Sequence, residues 1–344
     1  MVGAYNPNVD PIICIIDGAH TLRRNLFQPN MRSLSNSTGM PTGGIYGFSQ
    51  SLKSVCNAMS AVTTVVAWEG GHSARRLEVY PEYKMRDPNK EQERDEHGMT
   101  DYEFYTHQLS WTQKLLDSLG IVQVSVSGKE GDDVLYQLVH LLRGKKIIVS
   151  EDKDFFSLIS DNVAVYRPIK KEYVDLGNFE DITGCPTPRH YLYLKALLGD
   201  GSDNIPSVAR GVGSKTALDV LKEISAEDLS PSAIIKEAAS STSKRTRKLL
   251  EAGESPIIRN LNLIDISKET FNIFELQSIV DALNIQRYPN VSMATKIMDA
   301  LEFSTETQGY LTNKLVSMST FPIANLVDKG YLKEYLKGQT VLGG

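Results

Sequence analysis

The sequence has no apolar run of membrane-spanning length, and its first residues, "MVGAYNPNVDP", lack the basic-then-apolar pattern of a secretory leader. A cytoplasmic protein is expected, in the host's cytoplasm if the source is viral. Cysteine is scarce. Cys14, Cys56 and Cys185 are odd in number and far apart, which excludes a disulfide framework and a sulfur-ligated metal cluster. They read as buried thiols in a reduced compartment. No cluster of histidines, internal repeat or strong low-complexity tract is present. Nor is there an excess of basic charge. The formal net charge of −5 argues against a nucleic-acid partner, unless the acids are gathered in one place. Nine acids are singled out below. Without them 33 acidic residues face 37 basic ones, and the remaining surface turns mildly basic.

What is present is ordinary globular material, 344 residues with 41% hydrophobic and 23% charged. That length suits one large domain or two smaller ones. Short β-branched runs recur: "IICIID" (Ile12–Asp17), "VTTVVAWE" (Val62–Glu69), "IVQVSV" (Ile121–Val126) and "KIIVSED" (Lys146–Asp152). Helical spacing separates them, as in "GGIYGFSQSLKSVCNAM" (Gly43–Met59). This alternation predicts an α/β fold, a mostly parallel twisted sheet with helices on both faces. Ligands of such sheets sit beyond the carboxyl ends of the strands. Asp17, Glu69 and Asp152 follow directly on strands, and Glu130 lies just past another, so four acids are expected at one sheet edge.

Asp132, Asp133, Asp154, Asp200 and Asp203 complete the set of nine. Singly, each reads as a cap or a surface charge: Asp133 suits the first turn of its helix, and Asp200 and Asp203 suit a turn. Together they would raise one another's pKa or need a cation. An all-oxygen donor set matches Mg²⁺ or Mn²⁺, and so many acids suit two ions. Such ions, and the phosphate they attract, are the expected counter-charge for the crowded "EGDD" at Glu130–Asp133.

Three further stretches are distinctive. The run from Arg75 to Tyr105 is highly charged, and it reads as a solvated insertion or a mobile element at the site mouth. "SSTSKRTRK" (Ser240–Lys248) reads as a polar linker. "GVGSKTAL" (Gly211–Leu218) fails the P-loop pattern, because Ser214 precedes Lys215, and lacks the third glycine of a dinucleotide fingerprint. A Gly-Val-Gly turn opening a helix suits a DNA phosphate backbone, with Arg210 and Lys215 adding charge.

Six motifs in order then resemble the flap-endonuclease family of structure-specific 5′-nucleases, in its free-standing bacteriophage-exonuclease branch. They are "IIDG" (Ile15–Gly18), "IYGF" (Ile45–Phe48), "PEYKMRD" (Pro81–Asp87), "EGDDVL" (Glu130–Leu135), "SEDKDF" (Ser150–Phe155) and "GDGSDNIPSVARGVGSKTA" (Gly199–Ala217). "NLNLIDI" (Asn260–Ile266) is similar to the segment closing the family's core. The resemblance implies a PIN-like 5′-nuclease core over 1–187, with a helical arch at about 75–107. It implies a helix–three-turn–helix duplex-binding region over 188–271, and leaves 272–344 as a helical extension of unassigned role. It places Asp17, Glu69, Glu130 and Asp132 in a catalytic metal cluster and Asp152, Asp154 and Asp203 in a second, with Asp133 and Asp200 in support. Lys84 and Arg86 would grip the scissile phosphate, and Tyr83 would stack on a displaced base. Arg24, Arg210, Gly211, Gly213, Ser214, Lys215 and Thr216 would contact DNA, with K⁺ at the turn. The one departure is Glu69, preceded by Trp68, where the family has Asp; it is one methylene longer.

The implied activity is divalent-metal-dependent hydrolysis near the 5′ ends of DNA or of RNA primers, at flaps, nicks or junctions, in replication and repair. A monomer is expected. The segment after Asn272 would pack on the body or dock a single-strand-binding protein. The rival reading is a catalytically weak junction-binding module, with Glu69 a sign of decay. A small ribonuclease would need neither the arch nor the Gly-Val-Gly turn. An aspartyl phosphatase wants a second Asp where Ala19 sits.

Overall fold

A computed structural model describes residues 11–59, 61–86, 93–94 and 98–342. Six strands form one sheet: β1 (Ile12–Asp17), β2 (Thr63–Ala67), β3 (Val122–Val124), β4 (Lys145–Val149), β5 (Val163–Arg167) and β6 (Glu172–Val174). Their spatial order is β3-β2-β1-β4-β5-β6. The pairs among β1 to β5 are parallel, and β6 runs antiparallel to β5. The alternation of side chains explains the continuous apolar runs. Ile13 and Ile15 enter one core, whereas Cys14 and Ile16 enter the core on the opposite face. A sheet covered on both faces tolerates no polar alternation. Cys14 and Cys185 are buried as expected, while the Cys56 side chain lies outside the described residues.

The chain adds strands outward from β1 to β3, then returns to place β4 on the other side of β1. The chain leaves the parallel strands β1 and β4 toward opposite sides of the sheet, which opens a crevice beyond their carboxyl ends. Asp17 ends β1 at the crevice, and Asp152 and Asp154 follow β4.

Helices that serve this edge are α1 (Gly18–Leu26), α2 (Gly43–Ala58), α3 (Ala74–Val79), α4 (Asp101–Ser118), α5 (Gly131–Leu141), α6 (Pro188–Leu198) and α7 (Ser214–Leu221). Then come α8 (Lys244–Ala252), α9 (Ser255–Ile264), α10 (Ile273–Asn284) and α11 (Val291–Ala300). Gly18 opens α1 where a Cβ would lie 2.6 Å from the Trp68 ring and 2.8 Å from the Ala67 carbonyl oxygen. Only glycine lets β1 turn into α1 so close to β2.

The charged run after Arg75, expected as a helical arch, is helical at both described ends: Ser73 caps α3, and Thr100 with Glu103 forms a capping box on α4. Residues 87–92 and 95–97 of the expected arch, Asp87 of its motif included, lie outside the described residues. "SSTSKRTRK" is not a linker. Ser243 accepts from the Thr246 N–H and starts α8, which buries Thr246 and Leu249. Its lysines and arginines hid the period because the buried stripe is only two residues wide.

Residues after Asn272 join the same cores. Leu276, Ile279 and Leu283 of α10 pack with the sheet residues Val122 and Val124, and Ile297 and Met298 of α11 join the opposite face. The expected regions 1–187, 188–271 and 272–344 therefore share hydrophobic cores.

Candidate active site

Local chain geometry sets the acids. The Asp17 carboxylate caps α1, accepting from the His20 N–H at 3.0 Å and from the Ser150 hydroxyl at 3.0 Å. Ser150 also accepts from the Asp152 N–H (3.0 Å), and Asp152 accepts from the Asp154 N–H (2.9 Å). A tight turn after β4 thus aims two carboxylates back at β1. Glu130 is the cap of α5, with Asp132 and Asp133 in its first turn. One carboxylate oxygen from each of Glu130, Asp132 and Asp133 lies within 4.8 Å of the others. Asp200 and Asp203 come from the turn after α6. A cavity of about 590 Å³ gathers Asp17, Glu69, Asp132, Asp152, Asp154, Asp200 and Asp203 on its wall. Glu130 and Asp133 stand behind it, 1% and 0% exposed.

The chain itself supplies part of the counter-charge, beside the divalent ions and phosphate that the sequence predicts. Arg76 of α3 is buried, 1% exposed, and forms a bidentate pair with Asp133 at 2.7 and 2.8 Å. The same guanidinium lies 3.4 Å from Glu130, and its Nε donates to the Leu263 carbonyl at 3.0 Å. Burial works against this charge, and Asp132 and Asp133 outweigh it, so the group is held above the usual arginine range. Burial and Asp132 push the Asp133 carboxyl up, while the contact with Arg76 opposes both. Lys84 adds a second cation, 2.7 Å from Glu130. Lys195 adds a third, 2.8 Å from Asp154 and 2.7 Å from Asp200. Arg23 pairs with Glu69 at 2.8 Å.

These cations do not neutralise the wall. Burial pushes Asp17 and Asp152 above the usual carboxylate range, against the hydrogen bonds they accept. Burial and Asp152 push Asp154 up to about 6, against the pull of Lys195. Asp203 is also pushed up to about 6 by burial, with Asp200, Glu130 and Asp154 adding to it. By contrast Lys84 and Arg76 hold Glu130 below its ordinary value, overcoming burial. Crowded oxygen donors that resist ionisation fit hard divalent cations.

Comparison with known proteins decides the family. A family model described as the 5′-3′ exonuclease, N-terminal resolvase-like domain, matches residues 12–184. The chain belongs to the 5′-3′ exonuclease family. It is 31% identical over 222 residues to a 5′-3′ exonuclease of Buchnera aphidicola subsp. Schizaphis graminum, covering 62% of this chain and 71% of that one. It is 35% identical over 216 residues to the thermostable DNA polymerase I of Thermus filiformis; these are 61% of this chain and 24% of the polymerase. The chain thus matches about a quarter of that polymerase's length. The fold is similar to that of T5 D15 protein, co-crystallised with metal ions: TM-score 0.60, 22% identity, 90% of this chain and 99% of that one. The family and the site together mark a phosphodiester-hydrolysing nuclease.

In this nuclease the other expected residues divide. Lys84 and Arg86 both line the acidic cavity. Lys84 has φ +51°, a left-handed backbone held by its N–H donating to the Asp203 carbonyl at 3.0 Å. A non-glycine residue there costs about 1 kcal/mol, a strain accepted where it places the ammonium against Glu130. Arg24 lines the same cavity and lies 3.6 Å from Glu151. Tyr83, expected as a stacking platform, is buried instead. It is 4% exposed, packs with Ile205, Leu263 and Ile264, and donates its hydroxyl to Glu130 at 2.9 Å. An apolar ring with one buried acceptor in reach gains more inside than as a stacking platform.

The Gly-Val-Gly turn is exposed at Arg210, Gly211, Gly213, Ser214 and Lys215, with Thr216 half-buried. Gly211 has φ +87°, which a side chain would strain. Lys248 of α8 donates to the Arg210 carbonyl at 3.1 Å, placing the exposed Lys244, Arg245 and Arg247 beside the turn. Sequence reasoning missed Arg76, Lys195 and this basic helix. The signal for α8 was there, a serine cap before four cations. For Arg76 there was none beyond the need for a buried cation.

Proposed function

We propose that this nuclease is a divalent-metal-dependent, structure-specific 5′-nuclease, cleaving phosphodiesters near the 5′ ends of DNA, or of RNA primers on DNA, at flaps, nicks or branched junctions. The observation that carries this is the cavity, where carboxylates from five chain segments crowd together while Lys84 and Arg86 share the wall. Asp17, Glu69, Glu130 and Asp132 would hold one Mg²⁺ or Mn²⁺, and Asp152, Asp154 and Asp203 a second. Asp200 would support through solvent and Asp133 through Arg76. Bound divalent ions supply an activated water and neutralise the leaving oxygen.

The chain's own groups do the rest. Lys84, fixed against Glu130, would neutralise charge developing on the scissile phosphate, and Arg86 would hold its neighbour. The turn at Arg210–Thr216, with K⁺ on its carbonyls, would grip the duplex backbone without reading sequence. The exposed cations of α8 extend that grip. In this reading residues 1–187 form the catalytic core and 188–271 hold duplex. Residues 272–344 brace the cores, with a single-strand-binding protein the candidate partner. A cytoplasmic monomer acting in replication and repair, of the free-standing bacteriophage type, is the matching setting.

A 5′-labelled flap substrate tests the proposal. Short labelled products with Mg²⁺, none with EDTA and none from Asp132→Asn are expected. Binding without cleavage by the parent chain would favour the junction-binding module instead.

A further inference from the structure

Glu269 lies outside the stretch that the family model matches, yet it is buried against the back of the site, 4% exposed. Its carboxylate accepts from the Ser73 hydroxyl at 2.7 Å, the Arg75 Nε at 3.0 Å and the Lys129 ammonium at 2.8 Å. These donors belong to two chain segments, which backbone hydrogen bonds from Gly70 to Lys129 and from Gly128 to Gly70 also bring together. Ser73 caps α3, accepting from the Arg76 N–H at 3.1 Å, and donates its own N–H to Glu130 at 3.2 Å. Lys129 immediately precedes Glu130 and is fixed further by the Thr270 carbonyl at 2.6 Å. One carboxylate therefore ties the start of α3, which carries Arg76, to the start of α5, which carries Glu130, Asp132 and Asp133.

Nothing in Glu269 touches the cavity, so it acts through others. We propose that Glu269 is a positioning residue: by holding Ser73 and Lys129 together it keeps the Glu130 carboxylate and the Arg76 guanidinium in the register that divalent-ion binding requires. The inference rests on the metal reading above. Groups that orient ligands from behind typically change metal affinity about 10- to 100-fold when altered.

The test is Mn²⁺ binding by the full chain, followed by loss of the free-ion electron paramagnetic resonance signal, with melting temperature measured alongside. Glu269→Gln is expected to weaken Mn²⁺ binding about tenfold or more. Lys129→Met is expected to weaken it in the same direction. The double variant should be no worse than the more severe single one, because both break one link. Glu254→Gln, an exposed control on the same side of the sequence, should bind as the parent does. Glu269→Gln with parental melting and parental Mn²⁺ affinity overturns the proposal. If Glu269→Gln does not fold, parental affinity in Lys129→Met overturns it. Asp132→Asn separates the two claims. Loss of binding there with none in Glu269→Gln defeats only the positioning role, whereas parental binding in Asp132→Asn defeats the metal reading and this inference with it.

Discussion

Arg76 carries the heaviest burden of any single side chain in the site. Its guanidinium meets Asp133 through two short contacts and has almost no solvent. A buried pair of this kind adds little net stability over an apolar pair of the same shape. Removing one partner is different, because it strands the other charge. Arg76→Met is therefore expected to cost roughly 3–5 kcal/mol, read as a shift in the urea midpoint. Combining it with Asp133→Leu should recover much of that loss. A single variant as stable as the parent would show that Asp133 is neutral in the fold. Tyr83 and Lys84 teach a related lesson. They are neighbours in a motif, and the sequence marks both as substrate-facing. The structure buries the ring and brings its hydroxyl and the Lys84 ammonium to the same Glu130 oxygen, the ammonium 5.3 Å from the ring centre, so the two act together on one acid.

At the scale of elements, the turn after α6 and the start of α5 each carry one acid pushed up, Asp203 and Asp133, beside one held down. Asp203 is pushed up to about 6. The folded, metal-free chain thus holds this proton more tightly than the unfolded chain, whose aspartates titrate near ~4. That contributes stability at low pH, and it is lost as pH rises through about 6. In EDTA at pH ~7, Asp203→Asn is expected to be more stable than the parent by roughly 1–2 kcal/mol, with the gain vanishing near pH ~4. Comparing variant with parent isolates this group from Glu130 and Asp200, which are held down and run the other way. Thermal melts across that range check it, and an unchanged or lowered melting temperature at pH ~7 would contradict it. The turn before α7 has its own test. Lys215→Ala should weaken duplex binding equally for all sequences and reduce the salt slope by about one phosphate contact. An unchanged slope would remove Lys215 from the DNA surface.

Across the whole molecule, β1 to β4 were legible because a sheet buried on both faces forces β-branched runs, and the acids because they end those runs; the edge strands β5 and β6 were not read from the sequence. Asp17, Glu69 and Asp152 follow from that rule, and their shared cavity follows from the reversal of strand order at β1 and β4. Long-range packing was not legible. Arg76 and Glu130 are 54 positions apart and meet only through the fold, and Glu269 is farther still. The basic helix α8 was hidden because its buried stripe is narrow, and the packing of α10 and α11 because their apolar residues look like those of any helix. The low net charge also misleads until position is known, since much of the acid is gathered in one cavity. The central claim is that this acid gathering exists to hold divalent ions. The most direct measurement is anomalous diffraction at the manganese edge from crystals soaked in Mn²⁺. Strong peaks among Asp17, Asp132 and Glu69, and among Asp152, Asp154 and Asp203, are the predicted result. Ordered carboxylates in these positions with no anomalous density among them would contradict it.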